Sequence, residues 1–186
     1  GAERGYLISD RCFAGADVCA TSHTLSQGIR QSGTYDLILC GKQTTDGDTA
    51  QVGAETAEFL GIAHGANILE VLETGDTFVT VRMNLENKIQ TQKMELPCLL
   101  TVDKDVNTPR LPSYKKRIGM DPGCIKVMGL DDLEDRDSGH YGLKGSPTQV
   151  ERIFPPDKKT DKEIMEGTGR ELAQAMAAVL RKHKFI

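Results

Sequence analysis

One stretch of the sequence, residues 35–53, restricts the fold more than any other. It passes from a buried strand through a polar loop into a helix. Residues 37–40 are a continuous apolar run, which is typical of a strand covered on both faces. Small and polar residues follow, and the periodicity predicts a helix from about Thr49, closed by Gly61. A loop that joins a strand to a helix start presents backbone N–H groups to an anion, so we expect a ligand site here.

The order of the predicted elements favours a mostly parallel sheet. A strand at residues 5–10 and a helix that ends at Gly33 precede the stretch above, and strand–helix alternation predicts parallel pairing with right-handed crossovers. Period-two segments then predict an antiparallel edge meander, and an apolar run predicts a further buried strand. The fold class is therefore α/β, doubly wound, with an extended C-terminal arm that ends in a helix. The meander covers residues 68–72, 77–85 and 88–96, and the last strand covers residues 96–103.

The C-terminal third lacks regular periodicity over residues 131–160. A structureless stretch of that length is unusual inside a compact domain, so we expect it to lie across another subunit. A capping box at Thr160 and Glu163 predicts the start of the last helix. The expected organisation is a nucleotide-binding domain at 1–130 and an arm with a helix at 131–186. The predicted apolar face of that helix carries Ile164, Thr168, Leu172, Met176 and Leu180.

Composition excludes several classes of protein. The 186 residues carry a net charge of −4, which argues against a general nucleic-acid binder. Apolar runs are too short to span a bilayer, and the N-terminus lacks the pattern of a signal peptide, so we expect no membrane insertion. The five cysteines include no C-x-x-C pair, which favours reduced thiols and a cytoplasmic protein.

The loop after the first buried run has the residues of a phosphate site. Gly41 and Gly47 allow tight turns, while Asp46 and Asp48 offer acceptors to ribose hydroxyls or to the helix start. Lys42 is not followed by Ser or Thr, so the loop is not a P-loop. An ordinary strand–helix turn without a ligand is the alternative. The predicted cofactor-binding residues are Gly41, Lys42, Asp46, Asp48, Thr49, Ala50, Gln51, Val52, Gly53 and Thr56.

The sequence shows no catalytic constellation and no metal site. The histidines at 23, 64, 140 and 183 are scattered, and none has metal-ligand spacing to another histidine, cysteine or carboxylate. We expect His23 at the surface or the edge of the core. We expect His140 to be a loop histidine that hydrogen-bonds to the backbone.

A basic cluster follows residue 109 and allows two interpretations. It is either a solvated loop tip or a docking loop, in which Leu111 is an apolar anchor held between Pro109 and Pro112. The surrounding cations would steer an acidic partner. The predicted docking residues are Arg110, Leu111, Pro112, Lys115 and Lys116.

Three separated motifs stand out along the chain: residues 36–43 with Asp46, Gln51 and Gly53, then residues 96–102 with 107–110, and finally residues 141–148. In this order they resemble the β subunit of electron transfer flavoproteins, and the likeness covers essentially the whole chain. The second motif resembles the signature of the family, with Thr108 where an acidic residue is usual. The third resembles the tail segment of bacterial members.

The resemblance implies an electron-carrier subunit rather than an enzyme, with a fold of the adenine nucleotide α-hydrolase type. It implies an α subunit that carries the redox FAD, and a β site for AMP or, in electron-bifurcating members, a second FAD. It identifies the loop at 41–53 with the nucleotide-phosphate site and Leu111 with the anchor that docks acyl-CoA dehydrogenases. The C-terminal segment would reach over the α subunit.

Two further expectations accompany the resemblance. The family normally begins with an additional strand and helix, so we expect this chain to be N-terminally incomplete. A stand-alone adenine-nucleotide-binding or -hydrolysing α/β domain is the alternative function, because a fold can be shared without a shared role. An interaction module without nucleotide is a third possibility, although the intact loop at 41–53 argues against it.

Overall fold

The computed structural model describes residues 2–155 and 164–186, and within those ranges it contains seven strands and five helices. The strands are β1 (Gly5–Ile8), β2 (Leu37–Gly41), β3 (Ala63–Thr74), β4 (Phe78–Leu85), β5 (Lys88–Glu95), β6 (Cys98–Val102) and β7 (Ile125–Met128). The helices are α1 (Val18–Ser32), α2 (Val52–Leu60), α3 (Tyr114–Ile118), α4 (Gly142–Gly145) and α5 (Gly169–Lys182). The predicted α/β class is confirmed.

Five of the strands form one sheet in the order β2–β6–β3–β4–β5, and β1 forms a separate pair with β7. Parallel pairing joins β1 to β7, β2 to β6 and β6 to β3. Antiparallel pairing joins β3 to β4 and β4 to β5. Three of these five strand pairs are therefore parallel, and the antiparallel meander lies at one edge, as predicted.

Strand β3 is longer than the segment that periodicity predicted, because it belongs to both halves of the sheet. Its first residues pair parallel with β6, and from Ile68 it also pairs antiparallel with β4. The register shifts between Gly65 and Ile68, where Asn67 has a φ of 55°. The Asn67 N–H donates to Thr101 Oγ1 at 3.1 Å. This irregularity interrupts the alternation of apolar residues, so the first part of the strand had no sequence signal.

The main core cluster lies on the antiparallel half of the five-stranded sheet. Val79, Val81 and Met83 of β4 are buried alternately, which agrees with the period of two in the sequence. They pack in one cluster with residues of β3, β5 and β6, namely Ile68, Met94, Cys98 and Leu100.

Helix α1 is buried by small and hydroxylated residues, whereas its larger apolar residues Val18, Leu25 and Ile29 are only partly buried. Its buried residues are Ala20, Ser22, Thr24, Ser26 and Gly28, because α2, β1 and α4 all pack against the helix. The hydroxyl groups find acceptors close by, and Thr24 Oγ1 donates to the Ala20 carbonyl at 2.7 Å. At Gly28 a Cβ atom would lie 2.1 Å from Ile8 Cδ1, so glycine permits the close contact with β1.

The chain divides into two compact units, Gly1–Gln149 and Val150–Ile186. The division falls later than the expected domain boundary after residue 130. Residues 131–149 are irregular, as expected, but they belong to the first unit and pack within it through Leu133 and Tyr141, which are 1% and 0% exposed. These two side chains supply the apolar contacts that hold a segment without long helices or strands.

Helix α5 begins later than predicted. Thr168 is its N-cap, and the Thr168 N–H donates to the Glu171 carboxylate at 2.8 Å, which completes a capping box. Ile164 therefore precedes the helix, while Leu172, Met176 and Leu180 lie within it. The capping box predicted at residues 160–163 lies outside the described residues. No helix in the described ranges is both long enough and apolar enough to cross a membrane.

Candidate functional site

The loop between β2 and α2 leaves the sheet at the carboxyl ends of two parallel strands. Gly41, the last residue of β2, is in register with Val102, the last residue of β6. The Lys42 N–H donates to the Val102 carbonyl at 2.9 Å, and Lys42 Nζ lies 3.5 Å from Asp103 Oδ2. Ligands of open α/β sheets bind outside the carboxyl ends of the strands, so the fold places this loop at the expected edge.

Helix α2 begins at Val52, three residues later than the predicted Thr49. Asp48 and Ala50 have φ values of 52° and 56°, and this left-handed backbone cannot continue a right-handed helix. Asp48, which was expected to offer an acceptor to the helix start, therefore does not cap α2. Asp48 Oδ1 instead accepts a hydrogen bond from Gln43 Nε2 at 2.5 Å.

The start of α2 leaves backbone donors available. Gln51 is the N-cap, and no side-chain hydrogen bond caps it in the described part of the chain. The first hydrogen bond that begins the helix runs from the Glu55 N–H to the Gln51 carbonyl at 3.0 Å. The N–H groups of residues 52–54 consequently have no partner within the helix. Together with the positive end of the helix dipole, they form an environment that suits an anion.

Gly53 and Thr56 lie beneath this helix start rather than on its exposed side. A Cβ atom at Gly53 would lie 2.3 Å from Thr101 Cγ2, so the absence of a side chain lets α2 pack directly on β6. Thr56 is 1% exposed, and its hydroxyl donates to the Val52 carbonyl at 2.7 Å. Both residues therefore position the helix start, whereas residues 43–51 are exposed and reachable by a ligand.

Asp46 is fixed within the loop by local hydrogen bonds. Its carboxylate accepts a hydrogen bond from the Gly47 N–H at 2.8 Å. The hydrogen bond from the Thr44 side chain, followed by that from the Gly47 N–H, lowers the pKa of Asp46 below its ordinary value. The loop therefore holds an ionised carboxylate, which suits a ribose hydroxyl and would repel a phosphate placed beside it.

The predicted docking residues are exposed. Leu111 is 93% exposed, and the segment after it forms the short helix α3 rather than the loop that the sequence predicted. Ser113 caps this helix, since its hydroxyl accepts a hydrogen bond from the Lys116 N–H at 3.4 Å. Because α3 contains Lys115, Lys116 and Arg117, the cations follow Leu111 closely on the surface.

The structure also brings together three side chains that sequence reasoning kept apart. Asp135 Oδ2 lies 3.1 Å from His23 Nε2 and 2.7 Å from His140 Nδ1. The expectation of a backbone partner for His140 is therefore wrong, because the imidazole contacts a carboxylate. His23 and Asp135 are 112 positions apart, so no local motif could have indicated this cluster.

The pKa values in this cluster reflect the shared carboxylate. Burial alone would raise the pKa of Asp135, but hydrogen bonds from the Asp137 N–H and from His140 outweigh it and lower that pKa. The hydrogen bond to Asp135 raises the pKa of His140. Next to the cluster, burial raises the pKa of Tyr141 to about 12, and its hydroxyl donates to the Asp135 carbonyl at 2.5 Å.

The chain is similar in sequence to several known proteins. The chain is 38% identical to the electron transfer flavoprotein subunit beta of Clostridium acetobutylicum, over 100% of this chain and 71% of that protein. It is 36% identical to the caffeyl-CoA reductase-Etf complex subunit CarD of Acetobacterium woodii, over 100% of this chain and 71% of that protein. It is 34% identical to the protein FixA of Bradyrhizobium diazoefficiens, over 95% of this chain and 63% of that protein.

The family model described as "Electron transfer flavoprotein domain" matches residues 1–128. That range contains both halves of the five-stranded sheet and the loop that precedes α2. The match of the family model and the identity along the whole chain lead to one assignment: this chain belongs to the electron transfer flavoprotein family, and its relatives include β subunits.

Proposed function

We propose that the chain is a nucleotide-binding β subunit, which pairs with an α subunit and helps to pass electrons between flavoproteins. The observation that carries the nucleotide site is the uncapped start of α2 at the carboxyl end of β2. An adenine nucleotide has both a phosphate for these N–H groups and ribose hydroxyls for a nearby carboxylate.

The residues present fit such a ligand. The phosphate would meet the N–H groups at residues 52–54, next to Gln51, while Lys42 supplies a cation at the same edge of the sheet. Asp46 and Asp48 would face the sugar rather than the phosphate, since two carboxylates repel an anion. A bound FAD would supply electron-transfer chemistry, whereas AMP would have only a structural role. The chain's own residues bind and orient either nucleotide through the same contacts.

The second unit, Val150–Ile186, is proposed to contact the α subunit. It presents several exposed apolar side chains, and exposed apolar groups of this number mark interaction surfaces. They include Val150 at 80%, Ile153 at 90%, Phe154 at 67% and Ile164 at 83% exposure. Acyl-CoA dehydrogenase-type flavoproteins are the proposed redox partners of the surface around Leu111.

The identity of the nucleotide is tested on the intact αβ complex. The complex is denatured, and the released FAD and AMP are separated and quantified. Two FAD molecules per complex support an electron-bifurcating type, and one FAD with one AMP supports simple electron transfer. One FAD with no second nucleotide contradicts the proposed β site.

A charge substitution tests the position of the phosphate. Gln51→Glu keeps the size of the side chain and favours the helix dipole, but it places a negative charge beside the bound anion. We expect affinity for the second nucleotide to fall about 5- to 30-fold, which corresponds to roughly 1–2 kcal/mol of repulsion.

Gln92→Glu is the matched control, because it adds the same charge on β5 at the opposite edge of the five-stranded sheet. Equal retention of nucleotide in both variants would place the phosphate elsewhere.

A further inference from the structure

We infer that His23, Asp135 and His140 form a binding site for one divalent transition-metal ion, with zinc as the preferred ion. The ligand atoms His23 Nε2, Asp135 Oδ2 and His140 Nδ1 all lie within 4.8 Å of one another. Two imidazole nitrogens and one carboxylate oxygen are a ligand set that zinc accepts, with a fourth position left for water.

The distances are close to those of a metal site. Zinc bonds of about 2.0–2.2 Å place the ligand atoms of a tetrahedron roughly 3.3–3.6 Å apart. Asp135 Oδ2 is 3.1 Å from His23 Nε2 and 2.7 Å from His140 Nδ1. Opening these separations to tetrahedral values takes shifts of less than about 1 Å, which small side-chain rotations provide.

Asp135 is held in place, both at its backbone and at Oδ1, by groups that are not ligands. The Asp135 N–H donates to Gln27 Oε1 at 3.1 Å, and the Asp137 N–H donates to Asp135 Oδ1 at 3.0 Å. The Tyr141 hydroxyl fixes the Asp135 carbonyl. These contacts leave Asp135 Oδ2 directed at the two histidines, and metal ligands are typically oriented by such outer hydrogen bonds.

The histidines are also oriented. The ring of His23 packs against Phe59 and Tyr141, with ring centroids 5.3 and 5.0 Å away. Asp137 Oδ2 lies 3.9 Å from His140 Nε2. A bound ion would displace the proton that His140 Nδ1 shares with Asp135 Oδ2, and the other ring proton would stay on Nε2, on the side of Asp137.

The site is open to an ion from solvent. Side-chain exposure is 17% for His23, 25% for Asp135 and 60% for His140. Magnesium and calcium are disfavoured, since they require six or more ligands that are mainly oxygen. Imidazole suits zinc, copper, iron and nickel, and two histidines with one carboxylate match the ligand set of four-coordinate zinc sites.

A bound ion would join α1 to residues 133–140. His23 contacts Phe59 near the end of α2, whereas the proposed nucleotide loop lies at the start of that helix. The site is therefore separate from the nucleotide loop. Its expected effect is a crosslink within the first compact unit, and metal binding can be measured without any electron-transfer assay.

The test uses the αβ complex, purified without a polyhistidine tag and treated with EDTA. Zinc is added back, and its amount per complex is measured by mass spectrometry, its affinity by calorimetry and its effect by thermal unfolding. His140→Ala removes one exposed ligand, and Asp135→Asn is the second variant. His64→Ala, on β3, is the control.

We expect the unsubstituted complex and the His64→Ala variant to bind the same amount of zinc and to unfold several degrees higher with it. We expect His140→Ala and Asp135→Asn to bind one zinc ion fewer, or to bind it at least about 100-fold more weakly. The absence of zinc binding to the unsubstituted complex, or equal binding by all four proteins, would overturn the inference.

Discussion

Asp17 and Thr148 are joined by two hydrogen bonds to one carboxylate oxygen. The Thr148 N–H donates to Asp17 Oδ2 at 2.9 Å, and the Thr148 hydroxyl donates to the same atom at 2.6 Å. Asp17 is also the N-cap of α1, since Asp17 Oδ1 accepts a hydrogen bond from the Ala20 N–H. One carboxylate therefore starts a helix and fastens Thr148 to it.

Replacing this carboxylate should destabilise the first unit. Asp17→Ala removes the helix cap, which contributes about 1 kcal/mol, and also removes two hydrogen bonds from Thr148, whose exposed donors then bind water. We expect the free energy of unfolding to fall by roughly 2–3 kcal/mol in urea titrations. Asp76→Ala, in the exposed turn between β3 and β4, is the control and should change it by less than about 0.5 kcal/mol. Equal effects would show that the two hydrogen bonds contribute little.

The same carboxylate should make stability depend on pH. Burial alone would raise the pKa of Asp17, but hydrogen bonds from Thr148 and from the Ala20 N–H outweigh it and lower that pKa below 3.8. A carboxyl group whose pKa is lower in the folded chain than in the unfolded chain stabilises the fold at pH values above its unfolded pKa. This contribution is lost as the pH falls from about 5 through the folded pKa.

We expect the difference in unfolding free energy between the unsubstituted chain and Asp17→Asn to shrink as the pH is lowered from about 6 to about 3. A difference that stays constant over this range would contradict the assignment of the lowered pKa to Asp17.

Gly142 is expected to tolerate no side chain. It has a φ of 54°, and a Cβ atom there would lie 2.2 Å from the Cys12 carbonyl oxygen. Gly142→Ala should therefore destabilise by about 2–4 kcal/mol, which combines backbone strain with a steric clash. Gly61→Ala is a matched control, because Gly61 has a φ of 70° and a Cβ atom there would meet nothing within 4 Å. The Gly61→Ala variant should lose only about 1 kcal/mol of its free energy of unfolding. Equal losses in the two variants would assign the whole effect to backbone strain.

Gly53 should affect packing before it affects nucleotide binding. Since a Cβ atom at Gly53 would lie 2.3 Å from Thr101 Cγ2, Gly53→Ala must displace α2 from β6. We expect a loss of about 1–3 kcal/mol in thermal or urea unfolding. Gly41→Ala, where a Cβ atom would meet open space, should be nearly neutral. If both variants keep the unsubstituted stability, α2 has room to move away from the sheet.

Leu111 should matter for docking and not for folding. Leu111→Ala removes an exposed apolar side chain, so we expect electron transfer with an acyl-CoA dehydrogenase-type partner to slow about 10-fold, a typical effect of losing an anchor. Assembly with the α subunit and the unfolding temperature should not change. Ile89→Ala, which shortens another exposed side chain on β5, is the control. An unchanged rate for Leu111→Ala would remove this residue from the docking surface.

The sequence predicted those elements whose formation depends on residues close together in the chain. The buried run that became β6 was visible because its side chains are apolar or small, and the end of α2 was visible at Gly61. The start of α2 was not, because Asp48 and Ala50 adopt a left-handed backbone that glycine usually provides. The loop after β2 joins a strand to a helix start, as the sequence predicted, while its nucleotide contacts stay predictions. The contact of His23 with Asp135 depends on chain folding and has no local signal.

Strand β5 is an edge strand of the five-stranded sheet, and its sequence disfavours the addition of another strand beside it. Among the described strands it pairs with β4 alone, and it bears charged or polar groups at Lys88, Gln90, Lys93 and Glu95. Lys93 also lies over the ring of Phe78, 3.5 Å from its centroid, and so covers an apolar surface. A second copy that added its own β5 edge to edge would bring desolvated lysines into the contact. Self-association through this edge is thereby discouraged, which protects the chain from strand-mediated aggregation.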